Sequence, residues 1–338
     1  MRTFITTASL AIAVWAAGCS TSGGGSIAFD DYSAALRDAV CKNAVKCGEV
    51  EDVEACRASN VGLNVHLSAS VQAAVDMAKI LYHGDHARTC FDALADRSCD
   101  VTSESSRALP AACYELTTGT QHAGAACALD PECISEFCAV PACSDACCQG
   151  TCTGDAAPVR GAAGASCETV LCDDQTFCDL DTLMCVALQP AHAFCSSAEE
   201  CAYGLDCLPD GTCGALPALG SPCDTACSAA GTTCDQTTGT CVKVALAGGA
   251  CTGDLGCSVF YACDATGHCS AGLAIGATCT FGELCAGSGA FCDVADGAAT
   301  GTCVLPKPNG QSCTRNADCS SAFCDPASLA CADETVCL

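Results

Sequence analysis

Basic residues are scarce: the 338-residue chain has 13 Lys plus Arg against 39 Asp plus Glu, a formal net charge of −26. From residue 119 onward only Arg160, Lys243, Lys307 and Arg315 stand against 25 acids. Such a surface repels the phosphates of nucleic acid and the headgroups of anionic lipid, so neither is expected as a partner. Large apolar side chains are also few. Val, Ile, Leu, Met, Phe, Trp and Tyr total 69 residues, and residues 119–338 hold 38 of them, too few for a large oily core. No two cysteines are separated by two residues, which removes the CxxC of zinc ribbons, thioredoxin-like sites and many iron–sulfur clusters. HExxH, GxSxG and GxxxxGK[ST] are missing, and no strand–helix alternation supports a Rossmann or barrel enzyme. Nothing nominates a catalytic residue, a metal or a cofactor, and the chain is expected not to be an enzyme.

What the sequence does have is cysteine, 39 in all, 32 of them after residue 118. Cysteine at this density marks a disulfide scaffold, which needs an oxidising compartment. A bridge closing a loop of about 11 residues contributes about 3 kcal/mol, largely by restricting the unfolded chain. The acidic balance reads as solubility at a crowded surface. Weak capture of divalent cations is the alternative, with no ordered ligand loop beside it.

Residues 1–18 read as a signal peptide: Met1-Arg2 is a short positive start, and Phe4–Ala17 is an apolar run too short for a membrane span. It ends in Ala16-Ala17-Gly18-Cys19, which resembles the lipobox of bacterial lipoproteins, with Ala16 where Leu is usual. The resemblance implies cleavage before Cys19 and lipidation of its thiol, hence a membrane anchor. Parity agrees: setting Cys19 aside leaves 38 cysteines, an even number that can all pair. Several acyl chains anchor a protein stably. Ser20, by likeness to enteric lipoproteins, implies the outer membrane or cell surface. Residues 19–28, with Ser20–Ser26 rich in Gly and Ser, read as the lipidated cysteine and a flexible tether.

Residues 29–118 read as a helical domain with six cysteines at 41, 47, 56, 90, 99 and 113. Phe29, Tyr32, Leu36 and Val40 fall at helical spacing, as do Val71, Val75, Ala78 and Tyr82, with Ser68 as cap and Gly84 as stop. Thr89–Ala95 reads as a third helix. Within this region His83-Gly84-Asp85-His86 is the one cluster with metal-ligand chemistry, and a solvated turn between helices is the preferred reading of it.

Residues 119–338 form seven cysteine-rich modules, spanning 127–152, 167–185, 195–213, 223–241, 251–269, 279–303 and 313–337. Six have four cysteines: Cys167, Cys172, Cys178 and Cys185; Cys195, Cys201, Cys207 and Cys213; Cys223, Cys227, Cys234 and Cys241; Cys251, Cys257, Cys263 and Cys269; Cys279, Cys285, Cys292 and Cys303; Cys313, Cys319, Cys324 and Cys331. The first has seven, and Cys337 stands outside the pattern. Five successive modules start 28 residues apart, and five junctions are nine residues long, the signature of a repeat array. Gly stands three residues before the first cysteine in six modules, with His192 as the exception, which predicts a recurring backbone turn. Leu208-Pro209-Asp210-Gly211-Thr212 predicts a tight hairpin between third and fourth cysteines. Asp179, Asp235, Asp264, Asp293 and Asp325 follow the third cysteine, where an Asx-type turn cap is the simpler reading and a cation site the alternative.

Gly310, Cys313, Cys319-Ser320-Ser321-Ala322-Phe323-Cys324-Asp325 and Cys331 resemble the Dickkopf N-terminal cysteine-rich pattern and, more loosely, EGF-like modules. The whole layout is similar to cysteine-rich lipoproteins of myxobacteria. The resemblance implies pairing of first with third and second with fourth cysteine in each four-cysteine module. It also implies a secreted binding module. The expected fold class is therefore small and disulfide-rich: a stapled α-helical domain, then an elongated tandem array of short β-hairpin modules. Each module is expected to touch mainly its neighbours. The expected role is non-catalytic, binding a protein or glycan partner or acting as a spacer. A protease inhibitor is the alternative, and an enzyme with an unrecognised site a third.

Overall fold

A computed structural model describes residues 25–338 apart from 60–67, 142–147, 168–169, 253–255, 265, 281–283, 287–289, 296–297, 322, 334–335 and 337–338. The signal peptide, Cys19 and most of the tether lie outside the described residues. The fold is small and disulfide-rich, with an N-terminal helical unit and a series of short antiparallel hairpins.

In the helical unit α1 (Tyr32–Lys46) packs on α4 (Gly84–Ala95), burying Ala39, Ala87, Cys90 and Phe91 with Ile27. Tyr32 meets Phe91 edge-on at 5.2 Å and Phe29 meets Tyr82 at 5.1 Å, the offset geometry that aromatic quadrupoles favour. The short α2 (Val53–Ala58) starts where Asp52 accepts the Ala55 amide at 2.8 Å. Ser68 caps α3 (Ala69–Asp76) by accepting from Val71 N at 3.2 Å.

Two local expectations are corrected here. The second helix does not run on to Gly84: it ends at Asp76, and Ala78 turns the chain with φ 56°. Residues Ile80–Tyr82 (β1) instead pair antiparallel with Thr117–Gly119 (β2). Ile80 is buried there, and this tertiary burial outweighs a helical spacing that Tyr82 matched by coincidence. Gly84 begins α4 rather than ending a helix, so the third helix starts five residues before Thr89. A Cβ at Gly84 would lie 2.2 Å from the Ile27 carbonyl oxygen, so the residue serves close approach of two chain segments.

Each four-cysteine module is a hairpin whose third and fourth cysteines face each other, as Cys178 faces Cys185 and Cys324 faces Cys331, and in module one Cys138 faces Cys152 in the same way. A single backbone frame recurs. The amide of the residue three before the first cysteine donates to the carbonyl of the module's last cysteine at 2.7–2.9 Å, from Gly124 to Cys152 through Gly310 to Cys331. These residues have φ between 68° and 91°, and His192 adopts the same left-handed turn at 68°. The linkers are thus built into the modules. Residue 189 bridges to Cys201, residue 245 to Cys257 and residue 307 to Cys319, each as a parallel bridge.

The expectation that a module touches mainly its neighbours fails for modules one to five, which lie against the helical unit. Thr120 N donates to Lys79 O at 3.0 Å beside module one, and Tyr114 Oη donates to Asp174 of module two at 3.2 Å. Gly204 N of module three donates to Thr102 O at 2.7 Å. In module four, Ala230 N donates to Cys99 O at 2.6 Å and Val101 N to Ser228 O at 2.9 Å, a short antiparallel bridge. Phe260 and Tyr261 of module five join Cys41, Ala44, Val50 and Cys56 in one buried cluster. The docking residues of modules two to five come mainly from the loop between second and third cysteines. A 28-residue module has too few apolar side chains to close its own core, and these loops borrow one from the helices.

Candidate binding surfaces

The structure joins first to third and second to fourth cysteine in all six four-cysteine modules. The bonds are Cys167–Cys178 and Cys172–Cys185; Cys195–Cys207 and Cys201–Cys213; Cys223–Cys234 and Cys227–Cys241; Cys251–Cys263 and Cys257–Cys269; Cys279–Cys292 and Cys285–Cys303; Cys313–Cys324 and Cys319–Cys331. Module one has Cys127–Cys138 and Cys133–Cys152, and Cys148 is also disulfide-bonded. The helical unit has Cys41–Cys56, Cys47–Cys99 and Cys90–Cys113. Cys143, Cys147 and Cys337 lie outside the described residues. In several modules three sulfurs, such as those of Cys279, Cys285 and Cys303, lie within 4.8 Å of one another. All three belong to disulfides, which lack the thiolate charge a metal needs.

The turn aspartates are spent on the chain itself. Asp179 accepts from Asp181 N at 3.0 Å and Thr182 Oγ1 at 2.8 Å, and Asp235 from Thr237 N at 2.9 Å and Thr238 Oγ1 at 2.8 Å. Asp325 repeats the motif with Ala327 N and Ser328 Oγ, and Asp264 with Thr266 and His268 N. Asp293 instead pairs with Lys307 at 3.0 Å. The hydroxyl and then the amide hydrogen bonds hold the Asp179, Asp235 and Asp325 carboxyls below the usual aspartate range. A folded-state pKa below the unfolded one stabilises above the unfolded value, and that contribution fades as pH falls through the folded one. The turns should therefore stay capped at neutral and mildly acid pH and loosen only below the ordinary aspartate range. Carboxyl NMR titration checks this, and Thr182→Val should raise the Asp179 pKa while leaving Asp235 unchanged.

A second set of acids has a signal the cysteine spacing did not bring out. In modules one, three and seven an acid directly precedes the second cysteine and folds back to the residue after the first. Glu132 accepts from Ala128 N at 3.0 Å, Glu200 from Ser196 N at 3.1 Å and Asp318 from Thr314 N at 2.9 Å. Glu132 and Asp318 are buried, and Lys79 Nζ lies 3.4 Å from Glu132. These modules share a five-residue first loop with an acid at its end, the feature that identifies the brace in sequence.

The scarce basic residues near the array are used in joints as well. Arg160 sits 3.3 Å from the Tyr114 ring centroid and 3.1 Å from Asp174. Arg107 donates to Ala198 O at 2.6 Å and Leu205 O at 3.2 Å, fixing module three. In the histidine cluster His83 Nε2 lies 2.8 Å from Thr118 Oγ1 and His86 Nδ1 2.9 Å from Glu115 O, so both rings bond to neighbouring chain. Between modules one and two the surface opens into a groove of about 620 Å³ with walls that include Phe137, Pro158, Val159, Val170 and Leu171.

These features define a class: a cysteine-stapled repeat protein whose hairpin modules are docked on a helical unit. No family model, curated protein or solved structure matches the chain. Among the described residues no helix is long and apolar enough to cross a membrane.

Proposed function

We propose that the chain is an exported binding protein of the bacterial cell envelope, held at the outer membrane or cell surface by lipid on Cys19, that recognises a protein or glycan without catalysing a reaction. The observation that carries this reading is how the side chains are divided. Carboxylates and guanidinium groups brace turns and joints, while Phe137, Val159, Leu171, Leu180 and Phe194 stand exposed on a cross-linked frame. Apolar side chains held in water on a rigid scaffold suit recognition, because little order is lost on binding. Seventeen disulfides among the described residues favour an oxidising compartment, in keeping with export. The likeness to Dickkopf-type modules points the same way. Docking of five modules on the helical unit favours recognition over a pure spacer.

Two experiments test the reading. Cys19→Ala, or globomycin treatment, should move the protein from the membrane to the soluble fraction; a Cys19→Ala protein that still pellets with membranes removes the anchor. Envelope extracts should yield a partner for the oxidised chain and none for the reduced one. Equal capture by both forms would mean that the folded surface is not what binds.

A further inference from the structure

We propose that the groove between modules one and two binds an apolar, positively charged peptide segment of a partner protein; this rests on the binding role argued above and assigns its site. The groove lies where the repeat departs from its period. The junction from Cys152 to Cys167 holds fourteen residues where the five later junctions hold nine. Insertions in repeat arrays collect on one face, often the one that binds. Ala156, Ala157, Pro158 and Val159 of this insertion form a wall of the groove.

The remaining lining departs from the module plan in the same direction. Leu171 holds the position before the second cysteine, where modules one, three and seven place a bracing acid; here it is 66% exposed and lines the groove. Phe137 and Val159 are 57% and 73% exposed. Three large apolar groups left in water around one concavity cost free energy unless something covers them. The buried hydroxyl of Ser135 lines the same groove and has no hydrogen-bond partner, so a peptide amide or carbonyl fits there. Its neighbour Glu136 is held at φ 54°, a conformation that L-residues rarely adopt and that clusters at functional positions.

Charge selects among apolar occupants. Residues 119–338 carry 25 acids against four basic residues, and the basic residue in the junction beside the groove, Arg160, is engaged by Asp174 and Tyr114. Glu136 itself lines the groove. A lysine- or arginine-bearing segment is attracted here, whereas a second copy of a chain with net charge −26 is repelled. The volume is in the range that seats a small ligand or several side chains.

The test is fluorescence anisotropy of a labelled seven-residue peptide alternating lysine and leucine, and of its glutamate–leucine counterpart, against the purified oxidised chain. The lysine peptide should bind saturably and at least tenfold more tightly than the glutamate peptide. Leu171→Asp and Phe137→Ser should each weaken it at least tenfold, although Leu171→Asp adds a negative charge. Leu329→Asp, on the exposed hairpin turn of module seven, adds the same charge and should leave it unchanged. Undiminished binding by Leu171→Asp would reduce the effect to adsorption by charge and overturn the site. Equal binding of both peptides would mean an unselective apolar groove, such as one for an acyl chain, and a dimer in sedimentation that Leu171→Asp dissociates would mean a second copy; either overturns the proposal. If these peptides fail while the oxidised chain still captures an envelope partner, the site falls and the binding role stands.

Discussion

Replacing Cys47 and Cys99 together by alanine should lower stability by about 4 kcal/mol, more than the loss of any single module bridge. The bond spans 52 residues of sequence, against 11 to 19 for the described bridges of the modules. Loop-closure entropy grows with loop length, so a module bridge such as Cys195–Cys207 is worth about 3 kcal/mol. The structural consequence should also differ. Cys99 O accepts the Ala230 amide, and the Cys47–Gly48 backbone lies directly against Gly231, whose Cβ, if present, would be 2.8 Å from Cys47 O. Both flanks of this disulfide therefore hold module four. Glu49 is part of the same edge: burial pushes its carboxyl up, and a backbone hydrogen bond from Gly231 opposes that. Hydrogen exchange should report faster exchange at Ala230 and Val101 in the double variant, with module-seven amides such as Cys331 unaffected. The paired change Cys195→Ala and Cys207→Ala should loosen module three and leave Ala230 protected. Unchanged protection at Ala230 after removal of Cys47–Cys99 would refute the staple role.

The contrast between these two bridges shows what was legible in the sequence. The hairpin between third and fourth cysteines and the left-handed turn before the first could both be read. Each is a local event that repeats, so four equal periods, five equal junctions and six glycines expose it. Ser68 as a helix cap was legible for the same reason. What escaped was tertiary. Val259-Phe260-Tyr261 between Cys257 and Cys263 is an unusual apolar run for these modules, yet nothing local says that Phe260 and Tyr261 pack in one cluster with Ala44 of α1 and Cys56 of α2. Module four shortens its first loop to three residues and lengthens its second to six, and the lengthened loop is the one that pairs with Cys99–Val101. Such departures from the period marked the contact sites. Read as noise around a repeat, they suggested an array of neighbours alone. The groove followed the same logic: its long junction was visible, but that Leu171 and Phe137 face one hollow depends on how two modules stack.

Phe260→Ala should be the most damaging single change outside the cysteines, about 3–5 kcal/mol, the range for removing a buried aromatic side chain. Phe260 is 5% exposed and packs in one cluster with Ala44 and Val50 of the helical unit, so the loss falls on an interface as well as on a module. Tyr261 beside it donates its hydroxyl to Glu51, which also accepts the Ala247 amide at 2.7 Å. Desolvation raises the Glu51 pKa, but those hydrogen bonds outweigh it and hold the carboxyl below the usual range. Burial and the Glu51 carboxylate push the Tyr261 hydroxyl well above the ordinary tyrosine range, so it remains a donor at any working pH. Tyr261→Phe should therefore cost about 1 kcal/mol, the low end for a hydrogen bond to a charged and largely exposed partner. Since the Glu51 pKa is lowered by folding, its contribution is complete above the unfolded carboxylate pKa and is lost as pH falls through the folded one. Small-angle scattering distinguishes a damaged module from a released one. A compact protein of about 320 residues has a radius of gyration of about 20 Å, and swinging modules five to seven off the helices must raise the measured value. Phe260→Ala should give such a rise with module-five disulfides intact, and acidification of the parent protein should give a smaller one. A Phe260→Ala protein with the parent's radius and unchanged protection at Ala247 would show that the helices do not hold the array through this contact.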